Sequence, residues 1–225
     1  MIGVEKMITA FIAIAMTVFL LIWLRYAQLS EHYGIDVLPK NPKKYLYFIP
    51  LFLIPLPNFW WSIEMSRPLL DTLFYITTML CVGFLEELIF RGFIFVSLVS
   101  ENKRQKKASE QNKRIAILIS SLTFGVGHII NLFMGAPLVE TLLQVCYATA
   151  AGFLFTIIFC KSGSLWPCVI AHSLMNASSV FAPQNLTMTQ SCIDGAYLCI
   201  IALVYSLIIL KTTKGNSHGI FNDDC

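Results

Sequence analysis

Apolar residues run along this chain in long blocks separated by short polar stretches. Blocks of about 20 apolar residues predict helices that cross a bilayer. Met7–Leu24 is the first, expected to be a retained span because no small-residue cleavage site follows it. Tyr45–Trp61 is the second, short and interrupted by Pro50, Pro55 and Pro57, ending in Trp residues that suit a membrane interface. Leu69–Leu98 is longer than the hydrocarbon core needs, so it is expected to tilt or to break near Gly83. Ile115–Phe133, Leu138–Cys160, Leu165–Phe181 and Cys192–Leu210 complete a set of about seven. No alternating strand pattern competes with them. The expected fold is all-α: one polytopic membrane domain over residues 1–225.

Composition agrees. Of 225 residues, 56% are hydrophobic and 13% charged, and the mean hydropathy is +0.70. A soluble domain carries about 25% charged residues. The net charge of +3 is too small for a nucleic-acid surface, and none is expected. Where the charges lie says more. The loop Glu101–Arg114 holds Lys103, Arg104, Lys106, Lys107, Lys113 and Arg114, so it is expected on the cytoplasmic side. Alternation then puts Arg25–Lys44, Lys161–Ser164 and the C-terminal tail on that side, with the N-terminus opposite. A plasma membrane, of bacterial type, is the expected location. The seven cysteines form no C-x-x-C pair and are expected to be inert thiols.

Against this background the polar residues inside the spans stand out. A charge at a helix centre costs roughly 2.5–3.5 kcal/mol on insertion scales, and such residues face a bundle interior or a wet cavity. "EELIFR" puts Glu86, Glu87 and Arg91 in the third block. Glu87 and Arg91 are four apart and can pair. Glu86 points about 100° away around the helix and has no such partner. "FGVGH" places His128 in the fourth block, and "HSLMN" places His172 and Asn176 on one face of the sixth. An intramembrane polar cavity lined by these groups suits hydrolysis. Glu86 and His128 can hold and deprotonate water, while His172 and Asn176 can donate to an oxyanion. No serine with its own His–Asp chain and no cysteine lies in the motifs. Glu140 and Gln144, near the start of the fifth block, are read as interfacial.

The three motifs, in this order on successive membrane segments, match E-E-x-x-x-R, F-x-x-x-H and H-x-x-x-N. They resemble the CPBP intramembrane protease family, which includes type II CAAX prenyl proteases and bacteriocin-processing or immunity proteins of the Abi type. The similarity covers about residues 69–182. It implies an endopeptidase in which Glu86 and His128 activate water, His172 and Asn176 form the oxyanion hole, and Glu87 and Arg91 support them. The substrate would be a peptide or protein within the lipid bilayer: a prenylated tail, a leader or a signalling peptide. The family is often labelled metalloprotease. Glu86, His128 and His172 are the candidate ligands for a divalent metal such as zinc, the alternative being no cofactor and a glutamate-driven reaction. Two other readings remain: a self-immunity or peptide-binding protein that needs no catalysis, and an ion-coupled transporter.

Overall fold

A computed structural model describes residues 4–39, 44–104, 110–183 and 185–212 of the chain. Part of the basic loop Glu101–Arg114 and most of the C-terminal tail lie outside those residues. The described elements are helical throughout. Helix α1 is Val4–Tyr26; α2 Pro50–Leu53 and α3 Pro57–Trp60 are single turns; α4 is Leu69–Glu87. A π-helical segment, Leu88–Phe95, joins α4 to α5, Val96–Arg104. Then come α6 Glu110–Gly127, α7 Ile130–Phe133, α8 Leu138–Ser162, α9 Trp166–Ser178 and α10 Met188–Thr212.

Among the described residues, four helical stretches are long and apolar enough to cross a membrane: Glu5–Tyr26, Gln111–Phe133, Leu138–Ser162 and Met188–Thr212. They supply the scaffold of an all-α integral membrane protein. Helix α8 is its axis, with α6 on one side and α10 on the other. Its apolar residues continue around the whole helix, and Ala150–Ser162 is buried almost without a break. A helix apolar on every face belongs in the centre of a bundle. Helix α1 is the opposite case, lying against α4 at the periphery with Phe11, Phe19 and Ile22 turned outward. In a bilayer such side chains meet lipid.

Three of the expected spans take other forms. Tyr45–Trp61 is not one helix. A 3-10 turn, Lys44–Phe48, leads into α2 and α3, each of which begins on a proline. A proline has no N–H to continue the preceding turn. The broken segment nevertheless runs antiparallel along α10. Tyr205 Oη donates to Leu46 O at 2.8 Å, Tyr197 Oη to Leu53 O at 3.0 Å, and Trp60 and Trp61 Nε1 to Asp194 Oδ1, each at 2.8 Å. Backbone carbonyls in a lipid-level segment must find partners inside the protein, and the two tyrosines of α10 provide them.

Leu165–Phe181 is likewise shorter than expected: α9 has 13 residues followed by the 3-10 turn Ser179–Phe181. At 1.5 Å per residue α9 spans about 20 Å, less than the ~30 Å core. It is an inner helix, laid against α4. The third expected span does not break at Gly83. Gly83 sits where α9 presses closest, and a Cβ there would lie 2.7 Å from Ser173 Cα. The irregularity falls further on, in the π-helical Leu88–Phe95. A π-helical stretch winds more widely than an α-helix, so it turns the residues after it relative to those before.

Gly125 likewise removes a side chain where α6 meets α8: a Cβ would lie 2.7 Å from Val145 O. Arg25, Gly34 and Lys161 gather at one end of the bundle, where Leu165 N donates to Gly34 O at 2.9 Å. Lys6, Asp71, Trp60 and Asp194 mark the other. Cys81, Cys146, Cys168, Cys192 and Cys199 are free thiols, whereas Cys160 is disulfide-bonded, against the expectation of unpaired thiols throughout.

Candidate active site

Helix α4, the π-helical segment and α9 carry most of the charged site. Glu87 and Arg91 are both fully buried, and Arg91 Nη1 donates to Glu87 Oε1 at 2.8 Å. The same carboxylate oxygen meets His172 Nδ1, also at 2.8 Å. A carboxylate paired with a guanidinium only accepts, so His172 Nδ1 carries the hydrogen. That fixes the imidazole and aims Nε2 at Glu86 Oε2, 3.4 Å away. The result is a continuous line: Arg91, Glu87, His172, Glu86.

Aromatic rings complete the setting. The Arg91 guanidinium lies 4.4 Å from the Phe124 ring centre and 5.5 Å from that of Phe155. His172 stands edge-on to Phe124 and stacks on Phe155. The two rings hold the cation by their faces and exclude competing partners. Arg91 Nε and Nη2 and Glu87 Oε2 have no hydrogen-bond partner among the described residues, so the ion pair relies on the rings as well as on its single direct bond.

A cavity of about 430 Å³ opens beside this line. Glu86, His128, His172 and Asn176 all line it; Glu87 and Arg91 lie behind its wall. Three of the four therefore share a space with Glu86, as the sequence pattern suggested, but their pairing differs from the expectation. The expected water-activating pair was Glu86 with His128. No direct ion pair joins those two; Glu86 faces His172 instead. His128 Nδ1 donates to Phe124 O at 3.0 Å, one turn back on its own helix, which leaves Nε2 as the nitrogen free for the cavity.

Glu86, His128 and His172 do not form a group able to hold one metal ion, and no other His, Cys, Asp and Glu cluster among the described residues does. The three candidate ligands named from sequence are thus not gathered as a metal-binding group among the described residues.

Several lining residues were not anticipated. Asn58 Nδ2 donates to Met175 O at 2.9 Å and to Ser178 Oγ at 2.7 Å, and Tyr75 and Ser179 hydroxyls meet at 2.8 Å. Together they clamp the C-terminal end of α9. Asn58 hides in a proline-rich segment, and nothing in the sequence flags it. Gln144 is different. It lines the cavity with Ala148, Ala151 and Phe155, which repeat at helical spacing on one face of α8. That periodicity was readable, and it turns Gln144 towards the cavity. Glu140, by contrast, is exposed.

Known proteins fit this arrangement. Residues 68–178 match the family model described as type II CAAX prenyl endopeptidase Rce1-like. A Bacillus subtilis (strain 168) protein named "Putative membrane peptidase YdiL" is 30% identical over 149 residues, covering 60% of this chain and 53% of that protein. The chain thus spans about half the length of this curated relative. No solved structure matches it. The three motifs fall in order inside the matched region, and both matches support, at the level of the family, a membrane peptidase similar to the Rce1-like members of the CPBP intramembrane protease family.

Proposed function

We propose that this chain is an intramembrane endopeptidase that cleaves a peptide bond with an activated water, without a covalent intermediate. The observation that carries this is the Glu86–His172 contact of 3.4 Å on the cavity wall, with the histidine fixed from behind by Glu87 at 2.8 Å. A proton acceptor and a hydrogen-bond donor stand side by side, each with one free face.

The steps follow from the atoms. Glu86 takes a proton from a water held between it and His128 Nε2, and the hydroxide attacks the scissile carbonyl carbon. The carbonyl oxygen gains charge and accepts hydrogen bonds from His172 Nε2–H and the Asn176 side-chain amide. Glu86 then returns its proton to the leaving nitrogen, and the C–N bond breaks. Glu87 and Arg91 act through His172, holding its ring and its charge. We place the basic loop and the end of the bundle near Lys161 on the cytoplasmic side, from the crowding of Lys and Arg there. We read residues 1–225 as one transmembrane domain whose site takes a peptide or protein segment from the bilayer, with a bacterial plasma membrane as the setting.

The test uses purified protein in proteoliposomes, presented with a mixture of membrane-soluble peptides, and mass spectrometry of the products. Parent protein should release fragments and Glu86→Gln should not. Equal cleavage by both would sink the reading. A cellular phenotype that survives Glu86→Gln while cleavage is lost would move the assignment to peptide binding without catalysis.

A further inference from the structure

The cavity contains an amide pair that the mechanism leaves idle. Asn131 Nδ2 donates to Gln144 Oε1 at 2.8 Å, across the gap between α7 and α8. Both side chains are half-buried and both line the cavity. The pair sits one turn from His128, since Asn131 N donates to His128 O at 3.0 Å. Two other sets of polar groups in the wall are occupied elsewhere. Asn58 spends its amide nitrogen on α9, and Tyr75 and Ser179 bond each other. Asn131 and Gln144 share a single bond. Asn131 therefore keeps its carbonyl oxygen, and Gln144 keeps its amide N–H groups. If both amides are turned over, one acceptor and spare donors still remain.

A spare C=O beside a spare N–H is the pattern shown by the edge of a β-strand, and it matches the N–H and C=O of an extended peptide. We propose that Asn131 and Gln144 read the backbone of the substrate, holding an extended segment on the His128 side of the scissile bond. The inference rests on the peptidase reading of this cavity and deepens it: the ligand is a peptide main chain, bound with little regard to side chains. The contact is made to the substrate itself, so the two residues are substrate-binding groups. Simple bridging of α7 to α8 is the competing role, because amide pairs also join helices.

The probe is a short, fluorescently labelled apolar peptide of Leu, Ala and Phe, and a series in which one backbone amide at a time is replaced by an ester. An ester lacks the N–H and is a weaker acceptor. Binding is followed by anisotropy on the full chain in detergent, in the Glu86→Gln background so that nothing is cleaved. One or two adjacent ester positions should weaken binding about three- to tenfold, the size expected for one hydrogen bond. That sensitivity should vanish in Asn131→Leu/Gln144→Leu and return in the exchanged pair Asn131→Gln/Gln144→Asn. Gln144→Glu guards against a folding defect. It keeps an acceptor for Asn131 but removes the spare donors, and it too should lose the ester effect. A bridging role would change thermal stability and leave the ester effect in place, which would overturn the proposal; so would a peptide that fails to bind, or binding indifferent to every ester. If the ester effect appears as described while the parent protein cleaves no peptide, the backbone-reading pair stands and the peptidase reading falls.

Discussion

Helices α1 and α10 and the α4–α9 pair are built by opposite rules. The first two are long, regular and apolar, and both qualify as spans by length and composition. Only 17% of the apolar window of α1 is buried inside the protein, against 56% for α8. Neither α4 nor α9 is among the qualifying helices. One carries Glu86 and Glu87 and runs into the π-helical segment that carries Arg91; the other is only 13 residues long and carries His172 and Asn176. The lesson is a division of labour. Among the helices that obey the membrane pattern, α1 turns most of its surface outward, while α8 is packed between α6 and α10. The two that violate it need each other, because each supplies the charges or hydrogen bonds that make the other tolerable at that depth.

The sharpest way to test that contrast is to remove the free carboxylate. Glu86→Gln should lower cleavage by about 100- to 10,000-fold, the usual weight of a positioned general base. Its side chain is about a third exposed, so the melting temperature in detergent should hardly change. Loss of activity together with loss of fold would blur the contrast; loss of activity alone confirms that Glu86 is chemical and not structural.

The ion pair behind it should show the reverse balance. Arg91→Leu takes the guanidinium from buried Glu87 and leaves it only the His172 hydrogen bond, at a cost of about 3–5 kcal/mol. Removing the partner as well, in Glu87→Leu/Arg91→Leu, should recover much of that stability, because no isolated charge remains. Cleavage should not recover, since His172 has then lost the acceptor at 2.8 Å that orients its ring. Denaturation in mixed micelles and product release, measured on the same three proteins, separate the two effects. If the double variant regained cleavage, the line from Arg91 to Glu86 would have no role in positioning.

How much of this was written in the sequence depends on the distance over which each feature is decided. Glu87–Arg91 and His172–Asn176 follow from spacing within one helix, so both pairs were legible. That Glu86, His128, His172 and Asn176 share one cavity was inferable because buried polar groups gather. Which of them touch was not. The Glu86–His172 contact depends on the register of α9 along α4, and that register is set where Ser173 fits over Gly83, in another part of the chain. The broken path of Tyr45–Trp61 was signalled by its prolines, but its partners, Tyr197 and Tyr205, lie at the far end of the sequence. The π-helical Leu88–Phe95 is apolar apart from Arg91, and an apolar run looks the same whether its backbone winds as α or π.

Register can be attacked directly. Gly83→Val would drive a side chain into the Ser173 backbone, where the added Cβ has 2.7 Å of room from its Cα. Overpacking of this kind costs about 1–3 kcal/mol. The larger effect should be on cleavage, because a shift of about 1 Å between α4 and α9 separates Glu86 from His172 and can cost roughly 100-fold in rate. A compensating Ser173→Gly should restore part of the lost activity. A Gly83→Val protein that cleaves normally would show that the contact does not set the register.

The smallest effects belong to the regular side of the comparison. Tyr197→Phe removes one hydrogen bond, 3.0 Å long, from α10 to the carbonyl of Leu53. Interhelical hydrogen bonds within membranes average only about 0.6 kcal/mol, so the melting point should fall slightly and cleavage should stay within twofold or so. Phe19→Leu on α1 removes no bond at all. Phe19 is 66% exposed, and hydrocarbon accepts either side chain equally well. Both stability and activity should match the parent. If Phe19→Leu instead impaired cleavage, α1 would not be a passive lipid-facing helix, and the surface it shares with α4 would have to be counted as part of the route by which substrate reaches Glu86.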